Sequence, residues 1–146
     1  MSYKRVLIVT DDSPSALKAA KCGYELAKQL GAKVALMGVV DQALAQGNVD
    51  AGLFPEKAAQ DLKKAMEEYL HRVKDDYGQG TDTEIFAPEG DVKQMVIQMC
   101  REWKADMIIA GTHGRKGLNR LLMGSMAEGI LREAKVPVFI VPIAKR

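Results

Sequence analysis

The sequence predicts an α/β domain built on a single doubly wound, five-stranded parallel sheet with helices on both faces. Three observations lead there. Short runs of β-branched and aliphatic residues recur, as in Val6-Leu7-Ile8-Val9 and Met107-Ile108-Ile109-Ala110. Longer stretches with apolar residues at helical spacing lie between such runs. The strand-like runs are apolar throughout rather than alternating, which suits strands covered on both faces. Strands alternating with helices imply a parallel sheet with right-handed crossovers. Ligands in such sheets sit beyond the carboxyl ends of the strands, where the strand order reverses.

Each element has its own signals. Val6 to Val9 is the first strand. Ser13 and Pro14 then supply an N-cap and a first helical residue, Ser15 to Leu30 carries Ala16, Ala20, Tyr24, Ala27 and Leu30 on one stripe, and Gly31 stops the helix. Val34 to Val40 reads as the second strand. Asp41 to Pro55 has no period and contains Gly47, Asn48 and Gly52, so a long loop of the functional kind is expected. Leu62, Met66, Tyr69 and Val73 form the apolar stripe of a second helix, Glu56 to Tyr77, ended by Gly78-Gln79-Gly80. Thr83 to Phe86 is a short third strand. Asp91 and Gln94 resemble a capping box ahead of a helix carrying Val92, Met95, Val96, Met99, Cys100 and Trp103. Asp106 to Ala110 is the fourth strand, Ser125 to Ala134 a helix and Val136 to Val141 the fifth strand.

A length of 146 residues fits one domain, spanning 1–146, around one core. A net charge of +2 gives no global attraction to nucleic acid, and 5% aromatics is too few for base-stacking platforms. No apolar stretch approaches the roughly 20 residues of a membrane helix, and the N-terminus lacks the apolar core of a signal peptide. A cytoplasmic protein that binds neither nucleic acid nor membrane is expected. Cys22 and Cys100 stand far apart without a Cys-x-x-Cys pattern, so two buried free thiols are expected.

The loop after the fourth strand carries the chemistry. Gly111 and Gly114 permit close approach of a ligand to the main chain, and Gly124-Ser125 sets unpaired N–H groups at a helix N-terminus, where phosphate is favoured. Arg115, Lys116 and Arg120 add positive charge. The same residues also read as turn glycines and, in Ser125 with Glu128, as a capping box. The loop is neither a Walker A motif nor a Gly-x-Gly-x-x-Gly fingerprint. Asp11 reads equally as a Mg²⁺ ligand or base and as a carboxylate closing a turn. His113 in the loop and His71 on a charged helix face read as solvated, and the eight methionines as core filler. No metal-ligand cluster and no nucleophile–base pair stands out, so catalytic residues are unknown and no metal site is expected.

The pattern Gly111-x2-Gly114-x9-Gly124-Ser125 resembles the nucleotide-binding signature of universal stress proteins, in their ATP-binding subgroup. The resemblance extends to Val9-Thr10-Asp11-Asp12-Ser13, Val39-Val40-Asp41, Ala105 to Gly111 and Val136-Pro137-Val138. It implies a Rossmann-like fold of the adenine nucleotide alpha-hydrolase type and a cytoplasmic stress-response regulator that binds ATP, ADP or AMP, with a divalent ion such as Mg²⁺ as an accompaniment. By resemblance, Val9, Thr10 and Asp11 lie against adenine and ribose, Val39 offers its main chain and an apolar edge to adenine, and Ala110 and Gly111 flank the ribose. Gly114, Gly124, Ser125 and Met126 cradle the phosphates. Asp12 stands where the family often has Gly, adding negative charge beside the site, and Gly38 where it often has His. A slow ATPase or phosphotransferase, or an interaction module with another ligand, is the alternative. The apolar last strand, with Pro137 and Pro142 at its ends, suits a sheet edge open to pairing. The resemblance likewise implies a homodimer through Val136 to Val141.

Overall fold

A computed structural model describes residues 2–11, 13–41, 54–112 and 125–142; the side chains of Pro55 and Ser125 fall outside that description. The elements run β1 (Arg5–Val9), α1 (Pro14–Leu30), β2 (Lys33–Met37), β3 (Val40–Asp41), α2 (Pro55–Tyr77), β4 (Thr83–Phe86), β5 (Glu89–Gly90), α3 (Val92–Trp103), β6 (Met107–Gly111), α4 (Ser125–Glu133) and β7 (Val138–Val141). The main sheet has five strands in the order β4-β2-β1-β6-β7. All four pairings are parallel. The chain therefore winds outward from β1 through β2 to β4, then returns to the other side of β1 for β6 and β7.

Alternation along each strand splits the core in two. Val6, Ile8, Val34, Leu36, Met107 and Ile109 meet Ala20, Tyr24 and Ala27 of α1 and Leu70 and Val73 of α2. Leu7, Val9, Ala35, Met37, Ile108 and Ala110 meet Val96, Cys100 and Trp103 of α3 and Ile130 of α4. Each strand residue thus faces a helix layer, which is why the runs are apolar without interruption.

The helix boundaries follow local chemistry. The Ser13 hydroxyl accepts from the Ala16 amide at 3.2 Å, and Pro14 opens α1. Gly31 closes it at φ +66°, a conformation that carries a Cβ penalty for other residues. The Asp91 carboxylate accepts from the Gln94 amide at 3.1 Å and caps α3.

The expected second strand, Val34 to Val40, is two elements. β2 ends at Met37, and Val40–Asp41 pairs instead with β5 in a separate two-stranded parallel ladder. Gly38 lies at the break, where any side chain would collide with the thioether of Met66 from α2. Asp41 and Pro55, expected in one loop, belong to β3 and α2; 42–53 lie outside the described residues. β7 begins at Val138 rather than Val136: the Pro137 carbonyl still accepts from the Ile108 amide, but Pro137 has no N–H to extend the ladder backwards. β6 starts at Met107 rather than Asp106, whose amide donates to the Arg5 carbonyl at 2.7 Å and whose side chain is engaged just ahead of the strands.

That engagement stitches the N-terminal ends of the strands. Asp106 Oδ2 accepts from the amides of Lys4 and Arg5 at 2.8 and 2.9 Å. The Arg5 guanidinium donates twice to the Trp103 carbonyl, at 2.9 and 2.7 Å, and lies 4.1 Å from the centroid of the Trp103 ring. The Trp103 indole in turn donates to Glu84 at 3.0 Å.

Both cysteines are free; Cys100 is buried, and burial pushes its thiol pKa up, while Cys22 is half-buried rather than buried. Tyr24 is fully buried with its hydroxyl 3.1 Å from that of Thr83; burial pushes its pKa up, with the Thr83 hydrogen bond opposing. Among the described residues, no helix is long and apolar enough to cross a membrane.

Gly23 marks where α1 crosses the sheet most closely. A Cβ there would lie 2.7 and 2.9 Å from Ile8 carbons and 3.3 Å from Ile109. Alanine favours the helix by ~1 kcal/mol, but overpacking two fully buried isoleucines costs ~1–3 kcal/mol. Gly23→Ala is expected to lower stability by about 1 kcal/mol, and at most about 2 kcal/mol, in urea denaturation; an unchanged midpoint would show that Ile8 can rotate away.

Candidate functional site

The return of the chain from β4 to β6 leaves β1 and β6 as neighbours whose onward connections leave in opposite directions. Open α/β sheets hold their ligands at the carboxyl ends of the strands at such a reversal of strand order. The register Val6↔Met107, Leu7↔Ile108, Ile8↔Ile109 brings the strands level and carries both chains to that edge. Val9 pairs with Met37 of β2, so Val39, two residues beyond, reaches the same edge.

Val9, Val39, Ala110 and Met126 belong to one apolar cluster on the α3/α4 face. Met126 comes from the first turn of α4, the others from strand ends. Thr10 is buried; its amide donates to the Met37 carbonyl at 2.9 Å, and its hydroxyl contacts the carbonyls of Ala16 at 3.0 Å and Asp11 at 3.1 Å. Asp11 Oδ1 accepts from the Ser13 amide at 2.8 Å, so the carboxylate closes the turn into α1. Its backbone carbonyl accepts from the Tyr69 hydroxyl at 2.6 Å.

Gly111 ends β6 against the first turn of α1. A Cβ there would meet the Ser15 hydroxyl and lie 2.7 Å from the Ser15 carbonyl oxygen. Only glycine lets the strand end run beneath that turn. The Ser15 and Thr112 hydroxyls stand 3.5 Å apart across this contact, and the Thr112 amide donates to Val141 at 3.2 Å. The end of β6 is thereby held against the first turn of α1 on one side and β7 on the other.

Of the ten residues singled out from sequence, Val9, Thr10, Asp11, Val39, Ala110 and Gly111 gather here, and Met126 packs into the same cluster. Ser125 is the first residue of α4, with its side chain undescribed. Gly114 and Gly124 lie outside the described residues, as do His113, Arg115, Lys116 and Arg120. His71 is exposed on α2. Among the described residues, no group of three or more His, Cys, Asp and Glu side chains could hold a metal ion. Sequence reading missed the Tyr69 hydroxyl, which was counted only as part of a core stripe, and the fit of Met66 against Gly38.

Residues 2–142 match the model of the universal stress protein family. The chain belongs to the universal stress protein family. A universal stress protein of Methanocaldococcus jannaschii is 35% identical over 147 residues, covering 99% of this chain and 85% of the relative. The solved fold of the universal stress protein UspA from Lactobacillus plantarum superposes with a TM-score of 0.83 at 16% identity, covering 97% of this chain and 99% of that one. Two further universal stress protein structures share the fold. One, in complex with cAMP, has a TM-score of 0.65 at 22% identity and covers 97% and 98%. The other, from Archaeoglobus fulgidus in complex with dAMP, has a TM-score of 0.60 at 17% identity and covers 97% and 99%. The family fold is thus present here.

Gly111→Ala is expected to destabilise the protein more than Gly23→Ala, by roughly 2–3 kcal/mol, because backbone rather than a side-chain tip obstructs the new methyl. Chemical denaturation of both variants checks the order; equal losses would mean that α1 can lift from β6 without cost.

Proposed function

We propose that the chain binds an adenine nucleotide in the crevice between β1 and β6 and works as a cytoplasmic regulatory protein of the stress response. The observation that carries the proposal is the meeting of the ends of β1, β2 and β6 at one edge. Adenine-nucleotide complexes of two fold relatives, with cAMP and dAMP, support it. Val39 and the cluster around Val9 and Ala110 suit the apolar faces of a purine. Thr10 and Asp11 stand at the ribose end, with Gly111 beside it. Gly114, Gly124, Ser125 and Met126 would hold the phosphates at the start of α4, where helix N–H groups and the dipole favour negative charge. ATP, ADP and AMP all fit that scheme. A divalent ion would arrive with the phosphates, whose hard oxygens are the ligands Mg²⁺ prefers.

We also propose a homodimer through β7. This strand pairs with β6 on one side only, stands last in the sheet and carries no charge. Val138 and Ile140 turn toward the α3/α4 core, while Phe139 is 46% exposed. Leu131 of α4 is also exposed. A two-fold mate adding an antiparallel strand would satisfy the open backbone groups in a self-complementary way.

Calorimetry with ATP, ADP, AMP and GTP is expected to show binding by the adenine nucleotides and weaker binding by GTP. Gly114→Val and Gly124→Val should weaken the phosphate-bearing ligands while leaving the protein folded. No binding by any adenine nucleotide at millimolar concentration would overturn the proposal. For the dimer, light scattering at micromolar concentration should give twice the chain mass, and Phe139→Lys should shift it toward monomer; a monomeric wild type or an unaffected dimer counts against β7 as the interface.

A further inference from the structure

We infer that Tyr69 is a positioning residue for the nucleotide site: its hydroxyl, donated from α2, holds the turn after β1 in its binding conformation. The inference rests on the nucleotide reading above and names a residue outside it. Asp11 lies two residues beyond β1, in the turn that follows the strand end that would meet adenine and ribose. Its carbonyl accepts from Tyr69 at 2.6 Å, a short O–H···O contact, and from Thr10 at 3.1 Å. The Thr10 hydroxyl has a single proton and also contacts the Ala16 carbonyl at 3.0 Å, so Tyr69 is the principal donor. Fixing a carbonyl fixes the plane of the peptide that leaves it. The Asp11 carboxylate, closing on the Ser13 amide, is then held as well.

α2 is itself anchored along this edge. Lys63 Nζ donates to the Ala87 carbonyl at 3.0 Å, and Met66 fills the space above Gly38. The Tyr69 ring packs on the α1/α2 core, and Arg72 lies 5.8 Å from its centroid. The hydroxyl is therefore delivered by a half-buried ring packed on that core, from a helix tied to the ends of β2 and β4. Without it the turn must be ordered when the ligand arrives, and that ordering weakens binding.

The test compares Tyr69→Phe with Tyr24→Phe. Both remove one hydroxyl and leave the ring, but Tyr24 bonds Thr83, where β4 begins, at the opposite end of the sheet. Affinities for ATP and AMP are measured by calorimetry, and hydrogen exchange at the Ser13 amide by NMR. The net worth of one hydrogen bond predicts roughly threefold to tenfold weaker binding for Tyr69→Phe, unchanged affinity for Tyr24→Phe, and faster Ser13 exchange only in the first. Wild-type affinity in Tyr69→Phe, or equal weakening in both variants, overturns the inference and leaves the site proposal standing. A wild type that binds neither nucleotide overturns both. Should Tyr69→Phe not fold, the ligand-free wild type decides: Ser13 is expected to exchange slowly before any nucleotide is added, and rapid exchange there overturns the positioning role.

Discussion

Backbone hydrogen bonds between β1 and β6 join segments that the chain separates widely; Arg5 and Asp106, at their foot, are 101 residues apart in sequence. This junction makes the sheet one body, since β2 and β4 hang from one side of it and β7 from the other. Its two ends are secured by different means. At the foot, a carboxylate and a guanidinium take up backbone groups that would otherwise be left without partners as the strands begin, and charge-assisted bonds of this kind are among the stronger ones. At the top, fit rather than charge does the holding: Gly111 slides beneath Ser15 because neither atom nor bond stands between them. The crevice opens where side-chain packing between the two strands runs out.

The remaining polar contacts weigh less. Lys57 with Asp61 and Lys63 with Glu67 are exposed pairs one helical turn apart on α2. Such pairs contribute at most a few tenths of a kcal/mol each. They keep the outer face of α2 in water while its inner face, carrying Leu70 and Val73, meets the sheet. The burial of whole strands such as Val6 to Val9, at ~1.5–3 kcal/mol for each large side chain, outweighs them.

Most of the fold was legible in the sequence because its causes are local. Ser13-Pro14, Gly31 and Asp91 act within one turn of themselves, and their roles in the structure match the ones read from residue type. The central strands β1, β2 and β6 were legible because parallel strands buried on both faces leave unbroken apolar runs, and the edge strands β4 and β7 by their short runs of β-branched and aromatic residues. The break at Gly38 was not, because Val34 to Val40 stays apolar across it; the cause is Met66, a side chain arriving from another helix. The small ladder of β3 and β5 is two residues wide and leaves no period to detect. In the site, the glycine spacing and the ends of β1 and β6 announced themselves by composition. Tyr69 could not: its partner is a backbone carbonyl 58 residues away, which any residue type could supply. Its ring satisfied the helical stripe and hid the hydroxyl.

The central place of β1 also shapes how the molecule comes into being on the ribosome. The first strand to emerge finds β2 almost at once, yet its other neighbour, β6, follows roughly 70 residues after β2 ends. At ~5–20 residues per second, one edge of β1 waits roughly 4–14 s for its partner. β4 is made only about 20 residues before β6, so the half-sheet of β4, β2 and β1, with α1 and α2 on one face, is complete only late in that interval. The cover for Leu7, Val9, Ala35 and Met37 on the other face comes later in the chain, from α3 and α4. β1, the first strand made, thus has one edge and one face open for most of synthesis.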